Sequence, residues 1–469
     1  MHFKNATDIN IRSSDMKTNF AEQEFSIKDI DWNIAGEEAV QILQSYIQIN
    51  TSNPPGNEEK GALFLKDIFD KEGIENEIII TSPGRACFRA VLKGGGKHKP
   101  LLLLNHIDVV SADEKKWKVP PFSGIIKDGY IWGRGALDMK STAVTQLMAL
   151  ILLKRKKYIP DRDIIFLAVA DEELGGKYGV KYLMDNHFNK IDAGFVLNEG
   201  GTGITKGRIK AFMIESSQKS KLLIKLSVIG KLSHSSNQKK NDASQQLVKA
   251  LNKIFAWKTP VSLTKTTKLF FRNMGATYGF PNSFFLKNHT NPLLKALVLW
   301  KIKKDEYFNL LIRDSISLTK LHAGNGELVI PDEACAWFDC RLLPGRNSKD
   351  FIDDLKKLIS DESVKIEILS GSDEFINKPS PINTALFEVI SSVLSKNLND
   401  FVITPVLIPG TSDSIYFRKK GITSYGFQPF VIPCEDMRGY HNINERISVA
   451  NIHLGVKMMT EVITQFTGT

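Results

Sequence analysis

Apolar positions recur at helical spacing over residues 37–49 and 58–72, on either side of the turn-forming run Asn53-Pro54-Pro55-Gly56. Each stretch reads as an amphipathic helix with one face turned to a core. A β-rich segment follows at 77–80. Three further runs, at 101–104, 164–170 and 193–197, are apolar almost without interruption and have the length of strands buried on both faces. Between the first two of these lies a helical pattern over 142–154. Strands alternating with helices in this way predict an α/β fold, a mixed sheet covered by helices whose ligands gather beyond the carboxyl ends of the strands.

Past Ser216 the texture changes. The pattern predicts a strand at 222–229, a helix at 243–255, strands at 315–321 and 333–342, a helix at 349–360 and a strand at 364–369, with a long variable stretch over 261–313. The order βαββαβ is the split arrangement of a small ferredoxin-like α+β domain, here inserted into the first. Helical periodicity returns at 384–394 and again in a last helix over 449–466. The expected division is a polar extension at 1–34, a first domain made of 35–218 and 371–469, and an inserted domain at 219–370. A chain of 469 residues exceeds what one hydrophobic core usually serves.

Composition changes this picture little. With 42% hydrophobic and 24% charged residues the chain is neither disordered, collagenous nor disulfide-rich. A net charge of +10 raises the question of nucleic acid, but the lysines are spread through many segments and no recognition motif accompanies them, so no nucleic-acid partner is expected. Cys87, Cys335, Cys340 and Cys434 form no CxxC pair, which points to reduced thiols in a cytoplasm. The amino terminus lacks the apolar run of a signal peptide, and no stretch approaches the roughly 20 apolar residues of a membrane span, so no membrane partner is expected.

The chemistry gathers at predicted strand ends. The apolar run from Leu101 ends in Asn105-His106-Ile107-Asp108, and period-two alternation puts His106 and Asp108 on one face. A carboxylate there can hold the imidazole nitrogen that faces away from a metal. Asp138 sits in a glycine-flanked loop just before a helix, as a metal ligand or a helix cap. Asp171-Glu172-Glu173 closes a buried strand, and adjacent glutamates point in different directions, so one can bind a metal while the other handles protons. Glu199 and His441 each have a plain reading as loop residues. Jointly, two histidines and three carboxylates suit Zn²⁺, or competing Co²⁺ or Mn²⁺, better than an all-oxygen ion. Two such ions sharing one bridging carboxylate and an attacking hydroxide would need no serine or cysteine nucleophile, and no GxSxG elbow is present.

These residues resemble the dinuclear zinc peptidase family that includes aminoacylase, carnosine dipeptidases, bacterial glutamate carboxypeptidase, acetylornithine deacetylase and succinyl-diaminopimelate desuccinylase. The resemblance runs from about Ala35 to the end. Its markers are the run Thr51 to Glu58, the His106 and Asp138 clusters, Asp171 to Gly176, Asn198 to Gly201, His234-Ser235-Ser236, Asp339 to Gly345, Gly410-Thr411-Ser412-Asp413-Ser414 and His441. It implies that Asp138 bridges two ions, with His106 and Glu199 serving one and Glu173 and His441 the other. Glu172 would be the general base, Asp108 would orient His106, and the Asp138-Met139 peptide would be cis. The inserted domain would act as a lid and dimerisation unit, making a homodimer in which His234 reaches an active site, often the partner subunit's, to stabilise the oxyanion. Arg341 would grip a substrate carboxylate, and Gly410 and Thr411 would line the substrate backbone.

Two departures accompany the resemblance. Leu328 stands where many relatives carry an asparagine, and the apolar and basic stretch 261–313 is absent from shorter relatives. That stretch resembles the larger branch acting on fatty-acyl amino acids and dipeptides, as an acyl pocket or as extra interface. The implied function is metal-dependent hydrolysis of the amide of an N-acyl amino acid or short peptide. A catalytically silent binding protein on the same scaffold is the alternative, and phosphoester hydrolysis is disfavoured because no glycine-rich phosphate loop is seen.

Overall fold

The computed structural model describes residues 27–236, 241–371 and 377–468. Of the expected extension, residues 1–26 lie outside the described residues. The folded chain starts before Ala35, because the Asp31 side chain accepts the N–H groups of Asn33 and Ile34 and so caps a helix over Trp32–Gln48.

The buried runs assemble into a ten-stranded mixed sheet. Its order is Glu75–Ser82, Arg85–Leu92, Ile164–Val169, Leu101–His106, Phe195–Asn198, Thr423–Gly426, Ile209–Gln218, Gly203–Lys206 and Val431–Pro433, with Val402–Ile408 beside Ile209–Gln218. Leu101–His106 runs parallel to both Ile164–Val169 and Phe195–Asn198, so three adjacent strands end at one edge. Every residue of Leu101–His106 and Ile164–Val169 is buried, as their unbroken hydrophobicity requires. Helices Trp32–Gln48, Lys140–Arg155 and Val449–Thr467 share a core with one face, and Val180, Leu183 and Phe417 pack on the other.

A separate antiparallel sheet has the order Ser315–Ala323, Glu333–Leu342, Ser220–Ile229, Val364–Ser370. Leu222, Ile224, Leu226 and Val228 alternate inward and meet Leu247, Leu251, Phe351 and Leu355 of helices Ala243–Ala256 and Ser348–Ile359 in a core of their own. The element order matches the βαββαβ pattern.

The stretch 261–313 differs from the expectation. It holds four helices, Lys265–Met274, Asn282–Lys287, Lys295–Ile302 and Glu306–Leu310. Its buried side chains Phe270, Phe271, Val298 and Leu311 pack with Ala211, Met213, Val406 and Leu407 of the large sheet. The stretch is inserted in the small α+β unit by sequence and docked on the other sheet by burial, because its apolar faces find an uncovered apolar surface there. Among the described residues no helix is long and apolar enough to cross a membrane, and Cys87, Cys335, Cys340 and Cys434 are free.

Candidate metal centre and active site

The strand ends deliver side chains from distant parts of the chain to one spot. His106 ends Leu101–His106, Glu172 and Glu173 begin the turn after Ile164–Val169, and Glu199 follows Phe195–Asn198. Asp138 enters from the loop before Lys140–Arg155, across a cis Asp138–Met139 peptide as the resemblance implied. The Asp138 carboxylate lies between two imidazoles. Its Oδ1 is 3.0 Å from Nε2 of His106, and its Oδ2 is 2.9 Å from Nε2 of His441. Glu199 Oε2 stands 3.8 Å from the first imidazole and Glu173 Oε2 3.1 Å from the second.

Several packed groups hold this arrangement. Asp171 has φ +67°, in the left-handed region that aspartate tolerates better than most residues. Arg85 donates to its Oδ1 at 2.9 Å while also gripping Glu58 at 2.5 Å, Asn53 donates to the same Oδ1, and the Tyr178 N–H donates to Oδ2. That turn aims Glu172 and Glu173 apart. Asp108 acts differently from the expectation: its main-chain carbonyl accepts from His106 Nδ1 at 2.8 Å, whereas its carboxylate is 3.7 Å from that nitrogen. The carboxylate instead accepts the N–H groups of Glu172 and Glu173 and the amide of Asn53. It therefore ties the histidine strand to the acidic turn. Sequence reasoning assigned no role to Glu445, which is buried and accepts from Arg134 at 2.7 Å and from the N–H groups of Gly135, Leu137 and Asp138. Its signal was its place four residues after His441.

The electrostatics fit a cation site. Burial, the charge of Glu199 and other nearby acids hold the Glu172 carboxyl well above the usual carboxylate range. Burial and the charge of Asp138 push Glu199 up to about 7. Hydrogen bonds to Asp138 and Glu173 raise His441 to about 10, and for His106 the pull of Asp138 and Glu199 outweighs the opposing effect of burial. Four carboxylates and two imidazoles crowd together, and Glu173 Oε1 is buried with no hydrogen-bond partner. Such a set is costly unless cations neutralise it. Donors around a tetrahedral zinc with bonds near 2.0–2.3 Å stand roughly 3.3–3.7 Å apart. The four spacings here, 3.0, 2.9, 3.8 and 3.1 Å, straddle that range, so shifts of a few tenths of an ångström let the residues take two divalent ions.

The other expected residues are placed less uniformly. A cleft of about 580 Å³ opens from Glu172 between the two sheets and is lined also by Lys221, Leu342, Ser370, Thr411 and Asp413. The guanidinium of Arg341 forks onto Asp339 at 2.8 Å and 2.8 Å and donates to Thr411 Oγ1 at 3.0 Å. Gly410 is exposed beside it. His234 is not brought to the cluster. It lies exposed on a short pairing with Val329, where its Nδ1 contacts Ser236 Oγ at 2.8 Å. Leu328 is exposed next to that pairing, where its main-chain carbonyl accepts the Ser235 N–H.

The comparisons agree with this geometry. The model of "Peptidase family M20/M25/M40" matches residues 102–465. A "Probable carboxypeptidase S-like 2" of Dictyostelium discoideum is 31% identical over 369 residues, covering 75% of this chain and 69% of that protein. The "N-fatty-acyl-amino acid synthase/hydrolase PM20D1" of Homo sapiens is 30% identical over 371 residues, with 78% and 74% covered. The crystal structure of the metallo-carboxypeptidase Sso-CP2 from Sulfolobus solfataricus superposes with a TM-score of 0.72 at 22% identity, covering 92% of this chain and all of that one, and so shares the fold. The matched span begins within the first buried strand of the cluster and ends in the last helix, and on that ground the chain belongs to peptidase family M20/M25/M40.

Proposed function

We propose that the protein is a dinuclear metal-dependent hydrolase that cleaves the amide bond of an N-acyl amino acid or short peptide. The observation that carries this reading is the Asp138 carboxylate set between two imidazoles, each imidazole having a further acid on its outer side. Asp138 would lie between the two ions, with His106 and Glu199 holding one and Glu173 and His441 the other. Zinc is the ion the donor set favours, with cobalt or manganese as substitutes. When bound, the ions supply Lewis acidity, lowering the pKa of a water and polarising the scissile carbonyl.

This chain's own residues do the rest. Glu172 faces the cleft and, with its proton affinity raised by burial and Glu199, takes a proton from the attacking water and passes it to the leaving nitrogen. Three of the five N–H donors of Arg341 are engaged, which leaves two to receive the carboxylate of the leaving residue. Gly410 and Thr411 border that position. His234 is exposed and makes no contact with the residues around Asp138, which suits delivery into the site of a second copy, where it would steady the oxyanion. The small α+β unit would then serve as lid and dimer contact. Four free cysteines suit a reducing cytoplasm.

The test is Glu172→Gln. Elemental analysis should show the two metals of wild type retained, while turnover on a panel of N-acyl amino acids and dipeptides falls about 10²- to 10⁴-fold. Wild-type turnover by the variant would overturn the base assignment. A metal-loaded wild type inactive on the whole panel would favour the silent binding protein.

A further inference from the structure

The basic residues are spread along the chain, but the acidic ones are not. Between Ala243 and Lys304 there are ten lysines and one arginine and no Asp or Glu, which leaves 51 basic against 52 acidic residues elsewhere. The whole net charge of +10 therefore originates in this one segment, which includes three of the four helices docked on the large sheet.

The same segment carries the most exposed large apolar side chains among the described residues, Leu293 at 92% and Phe280 at 87%. The helix Lys295–Ile302 buries Val298 and Ile302, yet exposes Leu297 and Trp300 on another face. Leu297 and Trp300 are three apart on one face of that helix, with the exposed Leu293 in the turn just before it and Lys304 in the turn just after it. Phe280 and Phe284, also exposed, stand four apart at the preceding helix Asn282–Lys287. The two helices line one cavity of about 340 Å³. Lys304 Nζ sits 3.7 Å from the Trp300 ring centroid, and Lys287 and Lys303 are exposed nearby. A helix apolar on all sides belongs in a core or against lipid, and here half of it faces outward.

We propose that this insertion is a peripheral docking surface for an anionic lipid bilayer, with Phe280, Phe284, Leu293, Leu297 and Trp300 entering the headgroup boundary and the lysines meeting lipid phosphates and carboxylates. Aromatic and leucine side chains flanked by lysines are the makeup of such interfacial elements. A twofold contact between copies would oppose the same predominantly cationic face to itself, which like charge disfavours. Nucleic acid would answer the charge but give the exposed leucines no apolar partner. Asp305, which caps the next helix by accepting the Phe308 N–H at 2.9 Å, and Glu306 follow Lys304 and are exposed, two acids against the eleven basic residues of the segment before them. The docking is a surface contact, distinct from a span, and is independent of the proposed chemistry.

Flotation of the full chain with phosphatidylcholine vesicles, with and without about 30% phosphatidylserine, tests the idea at low and high salt. Wild type should float with the anionic vesicles and not the neutral ones, and its partition should fall at least about tenfold at high salt. Phe280→Ser/Leu293→Ser/Leu297→Ser and, separately, Lys303→Glu/Lys304→Glu should each lose about tenfold or more, with turnover of a water-soluble N-acyl amino acid within about twofold of wild type. The positions are exposed, and unchanged circular dichroism would exclude misfolding. The proposal is overturned if wild type fails to float, if neutral vesicles serve equally, or if the variants float like wild type. It is overturned too if the variants instead dissociate a dimer in sedimentation, or lose affinity for single-stranded RNA that wild type prefers over vesicles.

Discussion

A buried carboxylate that touches no expected ligand atom illustrates how the centre is held. Glu445 is fully buried, pairs with the buried Arg134 and accepts three successive-loop N–H groups, the last from Asp138 itself. Removing it strands a charge and three donors in a dry setting, so Glu445→Ala should lower stability by about 3–5 kcal/mol. Denaturant unfolding would measure this, and Arg134→Leu/Glu445→Leu should recover part of the loss. A loss under about 1 kcal/mol would show that water replaces the pair. The candidate ligands were legible in the sequence only jointly, because each has a plain reading alone while two imidazoles and three acids together suit a cation site. Glu445, Asn53 and Arg85 were not, since a residue that holds a ligand needs only the right place in space.

At the scale of elements, the three central strands come from runs whose apolar character has no break, and their parallel register places three ligand-bearing turns side by side. The turn after Asn198 depends on close backbone approach. A Cβ added at Gly201 would lie 2.2 Å from the carbonyl oxygen of Gly426 and 2.6 Å from both Glu215 N and Met213 O. Those atoms are main chain and cannot rotate away. Gly201→Ala should therefore cost about 1–3 kcal/mol and displace the Glu199 carboxylate, two residues earlier. Gly279→Ala meets nothing within 4 Å and should stay within about 0.5 kcal/mol. Thermal midpoints of the two variants compare them directly, and equal shifts would refute the close-packing argument. The helices of 261–313 escaped the pattern reading because they are short and apolar on more than one side, which blurs a 3.6-residue period.

For the whole molecule, the ionised cluster links metal to stability. A ligand that binds only the folded state stabilises it by about 2.7 kcal/mol at 100 times its dissociation constant. Chelation should lower the thermal midpoint, and added zinc should restore it. Asp138→Asn should abolish that response, and a response unchanged by the substitution would place the metal elsewhere. The sequence by itself determined the two interleaved architectures, because periods of 2 and 3.6 are local and each apolar run declares its own burial. It also singled out the five dispersed side chains that the structure brings together, because two imidazoles and three acids occurring jointly in one chain suggest a shared cation. Tertiary structure alone decided that 261–313 leaves the unit into which it is inserted and packs on the large sheet. It alone decided that the Asp108 main chain, and not its carboxylate, seats His106, and that the cleft is shared between two sheets. Those outcomes depend on which surfaces remain uncovered when elements far apart in the chain meet, and no local period records that.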